Sequence, residues 1–199
     1  MESNIILSIP FEYFGKNIST NFFQPLLSES QIKQINQKSI TYTYVSNYSK
    51  GYSLCFENNI LNSIFYYNEG IQHFKEYKGV LPYNISLSKM KNVDIVKYLG
   101  DTPKKGGGKY PIYLNYSHLG IEITFLNSNW NDTENPIIFI SFFEKDKSRY
   151  YCALCTKQIT DNNTELFKCD NKSCNIIYYC SLECKSQHIK YHLEYCNNK

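Results

Sequence analysis

Seven of the eight cysteines in this chain of 199 residues crowd between Cys152 and Cys196, and only Cys55 lies outside that cluster. Their spacing is Cys152-x2-Cys155, Cys169-x4-Cys174 and Cys180-x3-Cys184, and the series closes with His192-x3-Cys196. Gaps of two to four residues let one backbone turn aim two side chains at one ion, which is how tetrahedral thiolate and imidazole sites are built. His192 and Cys196 are i and i+4, so a helix places both on one face, one turn apart. Seven cysteines and one histidine make eight ligands, enough for two complete tetrahedra. In a reducing compartment such a cluster is a metal site rather than a disulfide framework.

The segment Tyr179-Cys180-Ser181-Leu182-Glu183-Cys184, followed by His192-x3-Cys196, resembles a MYND zinc finger over the C-terminal quarter of the chain. The resemblance implies a cross-brace. Cys152, Cys155, Cys180 and Cys184 would take the first zinc; Cys169, Cys174, His192 and Cys196 would take the second. The spacing alone also allows sequential pairing. A RING finger fits less well, because its histidine stands in the middle of the series and the series ends in Cys-x2-Cys. Two departures from the MYND pattern stand out. Cys169 and Cys174 are four apart where two is usual, which makes Cys169 the least secure ligand. In the groove that takes proline-rich peptides, Ser181 matches, but Lys185 stands for the usual Gln and Ile189 for the usual Trp.

Fifty residues bury too little apolar surface to fold reliably alone. Binding energies of about 10–16 kcal/mol per structural zinc exceed the ~5–15 kcal/mol stability of a typical domain. The two Zn²⁺ would therefore be structural. Eight protein ligands also leave no open position for a catalytic water. Ser181 is a good N-cap for a helix over Leu182–Tyr195, with Asn197 and Asn198 able to end it.

Residues 1–146 alternate short apolar runs with turn signals. Strands are expected at Asn4–Ile9, Ile40–Val45, Tyr52–Phe56, Ile60–Tyr67, Ile112–Tyr116, Ile121–Phe125 and Ile137–Phe143. Helices are expected at Gln31–Gln37, capped by Ser28 or Ser30, and at Met90–Leu99. The second would bury Met90, Val93, Val96 and Leu99 and stop at Gly100. Lys104–Lys109 reads as a Gly-rich turn and Ser117–Gly120 as a hairpin turn. The class is α+β with a mainly antiparallel sheet. Helix-then-three-strands occurs twice, so a two-fold internal repeat is expected. The second helix, the Leu99-Gly100 turn and the following hairpin resemble SmpA/OmlA-like modules, which implies no activity. The domains are then an α+β domain over 1–146 and the finger over 147–199, with charged Glu144–Arg149 as linker.

Net charge is +3 and the pI about 8.3, short of a nucleic-acid domain. From Tyr150 to Lys199 six lysines face five acidic residues. Seven thiolates and two divalent ions bring that segment to about −2, a poor surface for phosphates. The N-terminus lacks a positive n-region and a cleavage site, and no apolar run is long enough to span a bilayer. The sequence thus describes an intracellular protein, cytoplasmic or nuclear, that is not secreted. Its function would be that of a non-enzymatic adaptor, engaging protein partners or a short peptide motif and no membrane. The alternative is an enzyme with its active site in 1–146 and the finger as a targeting module, as MYND fingers accompany SET domains, although no SET segment is present. His188 reads as an exposed helix residue, Cys55 as a buried small hydrophobe, and His73 and His118 as surface or loop residues. Gly106-Gly107-Gly108-Lys109 lacks the hydroxyl residue and setting of a phosphate loop.

Overall fold

The computed structural model describes residues 11–159 and 166–196; the expected strand at Asn4–Ile9 and the helix end at Asn197–Asn198 lie outside them. The architecture is α+β, and its eight main strands pair antiparallel. Contacts gather the chain into two compact units, Met1–Lys89 with Ile137–Glu144, and Met90–Pro136 with Lys145–Lys199.

In the first unit α1 (Gln24–Ser28) precedes the meander β1 (Gln31–Gln37), β2 (Ile40–Asn47), β3 (Tyr52–Glu57) and β4 (Ile60–Tyr67), and β8 (Ile137–Phe143) pairs with β4. Two-residue turns at Lys38-Ser39 and Asn58-Asn59 make the tight reversals, with positive φ at Lys38, Asn58 and Asn59; such turns match the twist of the strands they join. Alternation sends Val45, Leu54, Phe56, Leu61, Ile64, Tyr66, Ile140 and Phe142 into one core face, all at most 2% exposed. Burial of this apolar face is what holds the unit together.

The helix expected over Gln31–Gln37 is instead β1. Ile32 and Ile35 suit a helical period, yet the segment pairs residue for residue with Ser46 back to Ile40 through the Lys38 turn. Helical order comes just earlier, in α1, where Pro25 sits in the first turn and Ser28 is the last residue rather than a cap. Proline at that position favours a helix start, and that was the signal to read.

In the second unit α2 (Asn92–Leu99) leads into β5 (Lys104–Gly106), β6 (Tyr113–Tyr116) and β7 (Ile121–Phe125), an antiparallel meander. The Asp94 carboxylate accepts the Lys91 N–H at 2.8 Å, which closes the start of α2. Its buried stripe is Ile95, Tyr98 and Leu99, with Met90 just ahead, whereas Val96 is 36% exposed. Of the expected stripe Met90, Val93, Val96 and Leu99, Met90 and Leu99 are buried, while Ile95 and the large Tyr98 ring take the places of the two valines. The first half of the expected Gly-rich turn is β5, held against β6.

The finger completes this second unit with β9 (Tyr150–Tyr151), β10 (Gln158–Ile159), β11 (Phe167–Lys168), β12 (Tyr178–Tyr179) and α3 (Leu182–Cys196). The boundary expected after residue 146 does not coincide with this division. Asp146 N–H donates to the Ser117 carbonyl, and α3 packs on α2, so residues 90–136 associate with the finger rather than with the preceding strands. Long-range packing, invisible to a composition shift at 144–149, decides the grouping.

Candidate metal centre

Each ligand pair rises from a local device. Cys152 N–H donates to the Lys157 carbonyl and Thr156 N–H to the Cys152 carbonyl, folding a knuckle that turns at Thr156 with φ 59°. The Cys169–Cys174 loop carries two residues more than usual. Asn171 tightens it: its Oδ1 accepts from the N–H and hydroxyl of Ser173, and Cys174 N–H donates to the Asn171 carbonyl. Such side-chain-to-backbone turns are what Asn provides. Ser181 Oγ accepts the Cys184 N–H at 3.1 Å, the expected cap on α3.

The structure brings Cys152, Cys155, Cys180 and Cys184 into one group and Cys169, Cys174, His192 and Cys196 into another. Within each, the ligand atoms lie within 4.8 Å of one another. Cys155 and Cys180 sulfurs are 3.5 Å apart, Cys180 and Cys184 3.7 Å, and Cys174 Sγ and His192 Nε2 3.3 Å. Metal–sulfur bonds of about 2.3 Å in a tetrahedron make sulfur–sulfur edges of roughly 3.8 Å. Both groups therefore fit a tetrahedral ion with all four corners supplied by the protein. Cys169, expected to be the least secure member, is 8% exposed and sits with the rest of its group.

Electrostatics favour a cation at both groups. Burial pushes the Cys174 and Cys180 thiols up to about 12, and neighbouring sulfurs add to it. Cys169 also rises, mainly through burial. Burial acts on Cys152 too, but the N–H groups of Cys155, Cys180 and Leu154 pull it down to about 7. A divalent ion supplies the positive charge that lets crowded thiolates coexist.

Two buried histidines of α3, His192 of the second group and His188 outside both groups, reach carbonyls at the end of α2. His192 Nδ1–H donates to the Tyr98 carbonyl at 2.6 Å, so the Nε2 lone pair faces Cys174. A histidine ligand is usually oriented in this way, by a hydrogen bond at its other nitrogen. His188 is 5% exposed, so the expectation of an exposed helix residue is corrected. Its Nε2–H donates to the Val96 carbonyl at 3.3 Å, and its Nδ1 accepts from the Tyr179 hydroxyl at 2.9 Å. Val96's carbonyl can only accept, which sets the tautomer. Position i−4 from His192, on the same face of α3, was the available signal.

The first group is tied to the same loop. Asp101 N–H donates to the Ala153 carbonyl inside the Cys152 knuckle, and Gly100, with φ +81°, leaves no room for a Cβ beside Ala153. Tyr116 hydroxyl donates to the Gly100 carbonyl at 2.8 Å. His118, expected as a surface or loop residue, lies in the turn between β6 and β7 and packs among Tyr116, Tyr150 and Tyr178, and its Nδ1 is sealed without a partner among the described residues. Burial lowers its pKa to about 4.

Of the expected groove residues, Ser181 is spent as a cap, Lys185 pairs with Asp170 and is only 18% exposed, and Ile189 is half-buried. Cys55 lies in β3, with its thiol raised by burial, while Tyr44 and Ser63 hydrogen-bond to it. That environment suits a packed thiol, not a nucleophile. His73 is exposed.

Searches for related proteins return no matching family model, curated protein or solved structure. Among the described residues no helix is long and apolar enough to cross a membrane.

Proposed function

We propose that this chain is a zinc-binding adaptor whose C-terminal MYND-type finger, cross-braced by two structural Zn²⁺, takes up a protein partner. One observation carries the reading: eight ligands assemble into two groups of four with none left over. Cys152, Cys155, Cys180 and Cys184 would hold the first ion, and Cys169, Cys174, His192 and Cys196 the second. Zinc suits a donor set of thiolates and one imidazole. Closed coordination supports a structural role over hydrolysis. The negative charge of the metallated finger favours protein over nucleic acid. Lys185, tied to Asp170, and Ile189 shape a partner surface unlike an aromatic-walled peptide groove. Free thiols throughout suit a reducing, intracellular setting, cytoplasmic or nuclear. The order helix-then-four-strands, found as α1 to β4 and α2 to β8, supports an internal duplication.

Elemental analysis of the purified protein should return two zinc atoms per chain, and fewer than two overturns the reading of the metal. Pull-down with the full chain should lose its partner in Cys180→Ser and His192→Ala. Retention of every partner by both variants would refute the adaptor role.

A further inference from the structure

β1 and β5, each the outer strand of its own unit's meander, are built differently. β5 is three residues long, Lys104-Lys105-Gly106, and two of them are lysines. Short length and charge are the usual protections of a free edge. β1 has neither. It runs for seven residues, Gln31-Ile32-Lys33-Gln34-Ile35-Asn36-Gln37, with no proline, a single charge, and one-to-one register against β2 from end to end. Ile32 is 55% exposed, and only Ile35 is drawn in from solvent.

The outward-facing backbone groups can be identified. Thr41 gives its carbonyl to the N–H of Asn58, and its own N–H goes to Asn58 Oδ1, so Thr41 points to the β3 side of β2. Backbone direction alternates along a strand. Tyr42 therefore points to β1 and bonds Ile35, its register partner. By the same alternation Ile32, Gln34 and Asn36 turn their N–H and C=O groups to the free edge. Among the described residues none has a backbone partner there. Side chains do not block it. Gln34 reaches back to Thr43 Oγ1 at 3.3 Å, and Thr41 Oγ1 donates to Asn36 Oδ1 at 2.9 Å.

We infer that the β1 edge is a homodimer interface, on which a second copy of this chain adds its own β1 antiparallel about a two-fold axis at Gln34. That register sets Ile32 against Asn36 and Gln34 against Gln34 as hydrogen-bonded pairs. Gln31 meets Gln37 and Lys33 meets Ile35 as the intervening ones. All three outward N–H groups of each copy find carbonyls. The only charge, Lys33, meets an isoleucine, so no like charges oppose each other, a clash that destabilises cross-strand pairs. An isologous contact needs one patch to complement itself about a two-fold axis, and this strand does. The inference is independent of the metal reading.

Residue-resolved amide exchange and sedimentation of the full-length, metal-loaded protein, from micromolar to millimolar concentration, test it. Dimer should grow with concentration, and the amides of Ile32, Gln34 and Asn36 should gain protection in parallel. Those of Lys33 and Ile35 are already held by β2 and should not change. Gln34→Pro removes an outward N–H from each copy without touching the β1–β2 ladder, and should weaken the dimer by about thirtyfold. A chain that stays monomeric at every concentration overturns the inference. So does a dimer indifferent to Gln34→Pro, and so do the three amides being protected in the monomer, which would mean another segment or partner fills the edge.

Discussion

Replacing His188 with alanine tests the link between α3 and α2. The imidazole stands between the Tyr179 hydroxyl and the Val96 carbonyl. Tyr179 is fully buried, so its hydroxyl would lose its partner where water cannot replace it. An orphaned buried donor costs about 1–3 kcal/mol. The Val96 carbonyl keeps the N–H of Gly100 and adds little. Removing the ring leaves a cavity worth about 1–2 kcal/mol, below the range for large aliphatic truncations because part of the ring is polar. The expected loss is about 3 kcal/mol, measured by denaturant unfolding in excess zinc. Tyr179→Phe in the same background removes the stranded hydroxyl. The double variant should therefore recover about 1–2 kcal/mol relative to additivity. Metal content should remain that of the unaltered chain, because His188 belongs to neither ligand group. A loss below about 0.5 kcal/mol, which is the ordinary range for surface substitutions, would refute the relay. Strict additivity with Tyr179→Phe would do the same, and loss of one metal ion would instead make His188 a ligand.

Three further outcomes are expected. Gly100→Ala places a Cβ 2.4 Å from the Ala153 Cβ and carbonyl oxygen at a φ of +81°; stability should fall by about 1–3 kcal/mol or more, and an unchanged melting temperature would refute the packing of the knuckle on this loop. His118 has a folded pKa of about 4 against an ordinary 6.5, so the unfolded chain binds the proton first as pH falls. Its contribution is whole above pH 6.5 and is lost as pH drops toward 4, about 3 kcal/mol at most. The stability difference between the protein and His118→Gln should vary with pH across that window, and a constant difference would exclude it. Chelation with a strong zinc ligand should raise amide exchange in α3 and at the C-terminal turn of α2, where Tyr98 and Val96 lose their histidine donors. The β2, β3 and β4 amides should stay protected, and uniform loss across all of them would contradict the division into two units.

The candidate ligand pairs were legible because spacing is a local property: two sulfurs on one knuckle, or two side chains one turn apart on α3, need only a few residues. The strands at Ile60–Tyr67, Ile121–Phe125 and Ile137–Phe143 were legible because period-two apolar runs and turn residues are local too. Gln31–Gln37 was misread because two isoleucines three apart fit a helix as well as a strand, and only pairing with β2 separates them. Which cysteines share a group, that His188 is buried, and that α2 belongs with the finger depend on contacts between residues up to about a hundred positions apart, such as His192 with Tyr98 and Tyr195 with Asp94. Spacing along the chain sets what a side chain can ligate. Which carbonyl orients it is decided only when distant segments exclude water together.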